Sequence, residues 1–225
     1  MDPDVLKKAP LFAHLDDDAA RALSSAMGTI QLSKGEVLFR EGDLEDRLYI
    51  VVSGKIKLGR SGSAGRENLL AVLGPGQMFG ELSAFDPGPR SSTATAVTAS
   101  EVRTLEHEEL MTWLTGRPEV AQGLLGQMAA RLRRANDVVA DLVFSDVPGR
   151  VAKQLLELAK RFGDRADDGI HVHHDLTQEE LAQLVGASRE TVNKALADFA
   201  ARGWIRLEPR SVTILDVERV QRRAR

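Results

Sequence analysis

The stretch Leu176-Thr-Gln-Glu-Glu-Leu-Ala-Gln-Leu-Val-Gly-Ala-Ser-Arg-Glu-Thr-Val-Asn-Lys-Ala-Leu196 decides how this chain is read. It predicts two short helices joined by a tight turn at Gly186. Thr177 suits the cap of the first helix, with Glu180 three residues on to reach back as a capping box. Leu181, Ala182, Leu184 and Val185 then form that helix's apolar face. Gly186 permits the positive φ of a sharp turn, and Ser188 caps the second helix. Val192 and Leu196 bury the second helix, which leaves Arg189, Glu190, Asn193 and Lys194 facing outward. A helix-turn-helix presents its second helix to the DNA major groove, N-terminus first. Arg189 then suits a guanine edge and Glu190 the amino group of cytosine. The plainer reading of the same residues is an ordinary helical hairpin with a charged solvent face.

With 225 residues, the chain has room for one large domain or two modest ones. Charge is nearly balanced: residues 1–144 carry 16 Lys/Arg against 20 Asp/Glu, and residues 145–225 carry 14 against 13. Contact with DNA must therefore come from local placement of charge, such as the positive run Arg219 to Arg225. There is no cysteine, which excludes disulfides, thiol catalysis and a cysteine-held iron–sulfur cluster. No apolar run approaches the ~20 residues that span a bilayer. Met1 to Pro10 lacks the apolar centre of a signal peptide. A soluble cytoplasmic protein without membrane contact is the expectation.

From Thr29 to Leu105 short apolar runs alternate with glycines. The runs are Glu36–Phe39, Leu48–Val52, Lys55–Leu58, Asn68–Leu73 and Thr93–Val97, punctuated by Gly35, Gly42, Gly54, Gly65, Gly74 and Gly76. Many short strands with regular turns predict a sandwich or barrel, and 4% aromatics suits a compact jelly roll. From Pro118 to Phe144 the period becomes helical. Leu125, Met128, Leu132, Ala135, Val139 and Leu142 recur at three and four residues, the seam of a helix that pairs with another helix. A two-fold homodimer is expected, against a helix packed on its own domain. Phe144 to Gly149 is expected to break that helix at Pro148 and serve as a hinge. A new helix follows from about Gly149 to Phe162, then an acidic loop from Gly163 to Gly169. Trp204–Leu207 and Ser211–Leu215, flanking Glu208-Pro-Arg210, predict a small β-wing.

Between the strands lies Gly76-Gln-Met-Phe-Gly-Glu-Leu-Ser-Ala-Phe-Asp-Pro-Gly-Pro-Arg-Ser-Ser-Thr-Ala94. A glycine before a short helical turn offers backbone N–H groups to an anion. Arg90 adds a cationic fork suited to phosphate oxygens. Glu81 can accept from a ribose hydroxyl and help hold Arg131. Together with Phe79-Gly-Glu-Leu82, Phe85-Asp-Pro-Gly-Pro-Arg90-Ser91, Asp146-Val-Pro-Gly-Arg150 and Gly186-Ala-Ser-Arg-Glu-Thr-Val192, these residues carry a resemblance. The chain resembles the cyclic-AMP receptor protein (CRP)/FNR family of bacterial transcription regulators, most of all its actinobacterial CRP-like, GlxR-type branch.

That resemblance covers essentially the whole chain and implies an α+β architecture. A β jelly-roll cyclic-nucleotide-binding domain would span residues 1–116, a dimerisation helix 117–144, a hinge 145–149 and a winged helix-turn-helix DNA-binding domain 150–225. The ligand's identity, cyclic AMP as an allosteric effector, comes from the resemblance alone. By the same carry-over, backbone at Gly80 and Leu82 with Arg90 and Ser91 would hold the cyclic phosphate. Glu81 would take the ribose 2′-hydroxyl, Arg131 would reach toward Glu81, and Leu58 would line the base pocket. Arg189, Glu190 and Lys194 would read palindromic half-sites resembling TGTGA on double-stranded DNA, with Thr177 on phosphate and Ser188 capping the reading helix. RNA polymerase is a further partner that the family implies.

Two positions depart from the enterobacterial pattern. Ala135 and Asn136 stand where a threonine–serine pair usually meets the adenine. Alanine removes one hydrogen bond to the base, about 0.5–1.5 kcal/mol net, which Asn136 from a neighbouring subunit would offset. Lys194 stands where arginine is common, and lysine lacks the planar bidentate fork. Ala135 keeps open a regulator that binds DNA without any nucleotide. An enzyme acting on a phosphorylated substrate is a third reading, against which stands the lack of a nucleophile–base pair, metal cluster or P-loop lysine. His171-Val-His-His174 and Asp167-Asp168 are read as a polar strand and loop in preference to a metal site. His14 and His107 do not suggest a haem pocket.

Overall fold

The computed structural model describes residue 12, residues 15–62 and residues 67–224. The readings made at Met1–Pro10, His14, Gly65 and Arg225 fall outside these. The chain divides into two compact units: the first runs to Ala135 apart from Glu67–Leu70, and the second is Glu67–Leu70 together with the residues from Asn136 on.

The first unit opens with helix α1 (Asp17–Ala26), whose N-cap Asp16 accepts from the Ala19 N–H while Asp17 and Asp18 sit in the first turn. Acidic side chains there complement the partial positive charge of the helix start. Eight strands follow: β1 (Gly28–Leu32), β2 (Val37–Phe39), β3 (Leu48–Ser53), β4 (Ile56–Ser61), β5 (Glu67–Leu73), β6 (Met78–Phe79), β7 (Thr93–Ala96) and β8 (Ser100–Leu105). They form two four-stranded sheets, ordered β1-β8-β3-β6 and β2-β7-β4-β5. Alternation of side chains sends Leu32, Phe39, Tyr49, Val51, Ile56, Leu58, Phe79, Ala94 and Val102 into one core. Strand β3 is buried on both faces, because Leu48 and Ile50 join Leu23, Met27, Leu105 and Leu110 in a second cluster under the helices. That double burial is why Leu48–Val52 reads as a continuous apolar run. Strands β1, β6 and β8, which the apolar runs do not single out, complete the first sheet. Helix α2 (Glu81–Phe85) bridges β6 and β7, and α3 (His107–Thr115) leads to the long α4 (Pro118–Phe144).

Helix α4 spans the residues its periodicity predicts. Its seam is exposed in the single chain: Leu125, Leu132, Val139 and Leu142 are all more than half accessible.

The break after α4 differs from expectation. Only Ser145 and Asp146 lie outside helices, and α5 (Val147–Phe162) carries Pro148 in its first turn. A proline is tolerated there because the first turn's N–H groups lack intrahelical acceptors anyway. Asp146 supplies the cap, its carboxylate accepting from the Gly149 N–H at 3.0 Å. The acidic loop is a second correction. Residues Gly163–Ala166 (β9) and Gly169–His173 (β10) form a hairpin whose two-residue turn is Asp167-Asp168. A third concerns the wing. Strands β11 (Ile205–Glu208) and β12 (Ser211–Ile214) pair as expected, but β12 also pairs with β10, giving a four-stranded sheet ordered β11-β12-β10-β9. On this sheet pack α5, α6 (Gln178–Val185), α7 (Arg189–Ala201) and α8 (Val217–Arg223), around Val151, Leu155, Val172, Leu181, Val192, Leu196, Phe199 and Ile214.

Candidate functional site

Gly80 caps α2 at φ 79°, ψ 2° and makes no side-chain cap bond, so the first-turn N–H groups keep no such partner. A Cβ on Gly80 would stand 2.7 Å from Arg90 Nη1 and 2.8 Å from the Arg47 carbonyl oxygen. Glycine is therefore demanded twice, by the left-handed backbone and by the space. Arg90 closes against that backbone. Its Nη1 donates to the Gly80 carbonyl at 3.0 Å and its Nη2 to the Arg47 carbonyl at 3.0 Å. Its guanidinium lies 4.2 Å from the centre of the Phe39 ring, a cation–π contact. Arg90 is 3% exposed, and its Nε has no hydrogen-bond partner. A buried N–H donor left unsatisfied is costly in an isolated protein.

Glu81 presents the complementary demand. It is 1% exposed, and neither carboxylate oxygen accepts a hydrogen bond. Arg131, from α4, forms an ion pair with Oε1. Partial burial and the charge of Arg134 push the Arg131 guanidinium below its ordinary value.

These groups line one small, partly open cavity. Seven residues named from the sequence, Leu58, Gly80, Glu81, Leu82, Arg90, Ser91 and Arg131, come together around it. Phe39, Ser83 and Ser92 line it too and carry no local signal. Phe39 arrives from β2, and its place over Arg90 exists only because β2 pairs with β7. The lining combines apolar side chains with a buried cation and a buried carboxylate. That pairing suits a small anion that also carries a hydroxyl donor and an apolar ring.

Ala135 and Asn136 do not line the cavity in a single chain. They lie exposed on α4, a full turn and more beyond Arg131, about 6 Å along the axis at 1.5 Å per residue.

In the other unit, the capping box forms as expected. Thr177 Oγ1 accepts from the Glu180 N–H at 3.2 Å, and Glu180 Oε2 accepts from the Thr177 N–H at 2.8 Å. The Thr177 hydroxyl also donates to Glu180 Oε2 at 3.0 Å. Gly186 ends α6 in the left-handed region at φ 70°, and Ser188 caps α7, its Oγ accepting from the Thr191 N–H. Val192, Ala195, Leu196 and Phe199 are buried, while Arg189, Glu190 and Lys194 are exposed on one face of the first two turns and Asn193 is half-buried. A helix start with free cationic and acidic side chains is the geometry of a groove-reading helix.

His171 lies against Asp168, with Nε2 and Oδ1 2.7 Å apart, and the buried His174 accepts from the Leu176 N–H through Nδ1. Among the described residues no three His, Asp or Glu side chains are placed to hold a metal ion. His107 Nδ1 lies 2.6 Å from the Ala84 carbonyl oxygen. No helix among the described residues is long and apolar enough to cross a membrane.

Comparison with known proteins places these two sites in order. Residues 29–116 match the cyclic nucleotide-binding domain, and residues 149–223 match the Crp-like helix-turn-helix domain. A CRP-like cAMP-activated global transcriptional regulator of Mycobacterium tuberculosis is 55% identical over 222 residues, 99% of each chain. The cyclic AMP receptor protein of Thermus thermophilus is 36% identical over 93% of this chain and 94% of its own. The crystal structure of the Thermus thermophilus catabolite activator protein superposes with a TM-score of 0.56 at 35% identity, covering 96% of this chain and 98% of that one. Identity at this level along nearly the full length, with both domain types in the same order, means that the chain belongs to the CRP family of DNA-binding transcription regulators.

Proposed function

We propose that this chain is a homodimeric transcription regulator whose affinity for operator DNA is set by cyclic AMP held in the cavity over Gly80. The observation that carries the reading is a pair of buried charged groups there that keep hydrogen-bonding capacity unused, the Arg90 Nε–H and the Glu81 carboxylate oxygens. Arg90 offers a cation and a free Nε–H to a phosphodiester monoanion, and Glu81 offers acceptors to a ribose hydroxyl. Backbone at Gly80 and Leu82 and the Ser91 hydroxyl complete the phosphate contacts, and Leu58 faces the base. Arg131 holds Glu81, while Ala135 and Asn136 meet the base at a subunit seam.

The exposed stripe Leu125, Leu132, Val139 and Leu142 supports pairing of α4 with a second copy. Two copies present two α7 helices to palindromic half-sites resembling TGTGA, read by Arg189, Glu190 and Lys194, with Thr177 and Ser188 at the phosphates. The working division is residues 1–116 for nucleotide, 117–144 for pairing, 145–149 for the hinge and 150–225 for DNA. The setting is the cytoplasm, with RNA polymerase as the further partner. Nucleotide shifts the DNA-binding equilibrium only by its differential affinity for the two states, a coupling of about 1–3 kcal/mol.

The test is a band shift on a palindromic TGTGA duplex with nucleotide-stripped protein. Cyclic AMP is expected to tighten binding about 5- to 100-fold. Arg90→Leu is expected to lose both nucleotide binding by calorimetry and that tightening. Equal DNA affinity with and without cyclic AMP overturns the regulated reading in favour of constitutive binding. Unchanged nucleotide binding by Arg90→Leu overturns the cavity assignment.

A further inference from the structure

Arg90 is a buried cation, and an acidic side chain of the loop after β2 faces it. Glu45 Oε2 lies 3.4 Å from Arg90 Nη2 and accepts from the Tyr49 hydroxyl at 3.1 Å. Tyr49 is itself immobile: 1% exposed, stacked on Phe79 at 5.2 Å between ring centres and 5.6 Å from Phe39. The hydroxyl therefore pins Glu45 at this place. Arg47, two residues away, pairs instead with Glu106 at 2.8 Å, and Arg60 pairs with Glu41 at 3.0 Å. Burial and the nearby Glu45 charge push the Tyr49 hydroxyl up to about 12, so it remains a donor to that carboxylate at any ordinary pH.

We propose that Glu45 is a built-in competitor for anions at Arg90: it neutralises the buried guanidinium in the nucleotide-free protein and opposes a phosphodiester there. The inference rests on the assignment of the cavity to cyclic AMP and goes beyond it by naming a residue that sets the affinity. An unpaired buried cation is costly, so a protein that must exist without ligand gains from a standing counter-charge. The same charge makes an arriving phosphate meet a guanidinium already partly neutralised, with a like charge behind it. Glu45 is 38% exposed in its side chain whereas Arg90 is 2%. The carboxylate can therefore remain hydrated while it faces the cation, which makes it a weak competitor and not a lock. A purely positioning role predicts the opposite sign, because removing a group that positions Arg90 weakens binding.

The experiment is calorimetric titration of nucleotide-stripped full-length protein with cyclic AMP, fold being checked by thermal melting. Glu45→Gln keeps the shape and the acceptor for Tyr49 and removes only the charge. It is expected to lower Kd about tenfold. Tyr49→Phe releases Glu45 from its hydroxyl and is expected to lower Kd about threefold through a different residue. Glu41→Gln removes an equal charge from the same loop, outside the cavity, and is expected to leave Kd unchanged. If cyclic AMP binds wild type and Glu45→Gln binds it no more tightly, or more weakly, the inference is overturned and the cavity assignment stands. Equal tightening by Glu41→Gln also overturns it, since net charge alone would then explain the gain. Binding by Glu45→Gln where wild type shows none supports it in its strongest form, and binding by neither overturns the inference and the cavity assignment together.

Discussion

Gly80 and Gly186 both sit at positive φ, 79° and 70°, in opposite surroundings. A Cβ on Gly80 would run into a guanidinium and a carbonyl oxygen within 2.8 Å, whereas on Gly186 it would meet a single atom, Leu142 Cδ2, at 3.3 Å. The cavity needs its glycine because charged and polar groups from distant parts of the chain close onto the backbone there. The helix-turn-helix needs its glycine only to turn the chain. One site is built by long-range packing around buried charge, and the other by local capping with its chemistry left outside.

Gly80→Ala is the change that most sharply tests this contrast. Strain at positive φ and the collision with fixed backbone should together cost about 3 kcal/mol or more. The loss is read from unfolding of the first unit, followed by Trp113 in a Trp204→Phe background. A loss below about 1 kcal/mol means that Arg90 and the Arg47 carbonyl can retreat and that the cradle is soft. Gly186→Ala should cost only about 1–2 kcal/mol, the left-handed penalty alone, because the methyl needs a small shift of the flexible end of Leu142. Trp204 in a Trp113→Phe background reports it. Equal costs for the two alanines would end the comparison.

The same contrast explains how much of each site is legible in the sequence. Thr177, Glu180, Gly186 and Ser188 act on neighbours within a few residues, so their spacing alone places two caps and a turn. The α4 seam is equally local, a period of three and four. The cavity is not. Arg90 is held by Gly80, Arg47 and Phe39, and Glu81 faces Arg131 fifty residues later. Only resemblance to a known family joins these residues in the absence of a fold, and it passes over Glu45, Phe39 and Ser83. Pro148 misleads because a proline breaks a helix interior but suits a first turn, and the deciding residue is Asp146 before it. Asp167-Asp168 before Gly169 reads as an acidic loop although the same residues close a hairpin, since charge conceals turn chemistry.

Thr177→Ala tests whether the second site is as local as claimed. Losing the cap should cost about 1 kcal/mol, with faster amide exchange confined to the first turn of α6. Loss of protection spreading to the β10–β12 pairing would show that the cap stabilises the sheet as well, and the claim of local construction would fail.

Asp146→Asn carries the smallest expected effect and separates two jobs of one side chain. Asparagine still accepts from the Gly149 N–H, so the cap survives, but the ion pair with Arg223 is lost. The Arg223 guanidinium, followed by the Gly149 N–H, holds the Asp146 carboxyl below the usual carboxylate range. A carboxyl depressed in the folded state stabilises above its unfolded value near 4, and that stability disappears as pH falls through the folded value. The side chain is 62% exposed, so solvent screening leaves the pair only about 0.5 kcal/mol at neutral pH. Urea midpoints of wild type and Asp146→Asn should thus differ slightly at pH 7 and converge in acid, as pH falls through the depressed folded value of the carboxyl. A gap that persists unchanged in acid would assign the difference to cap geometry, because an uncharged Asp146 can still cap a helix but cannot hold Arg223 as an ion.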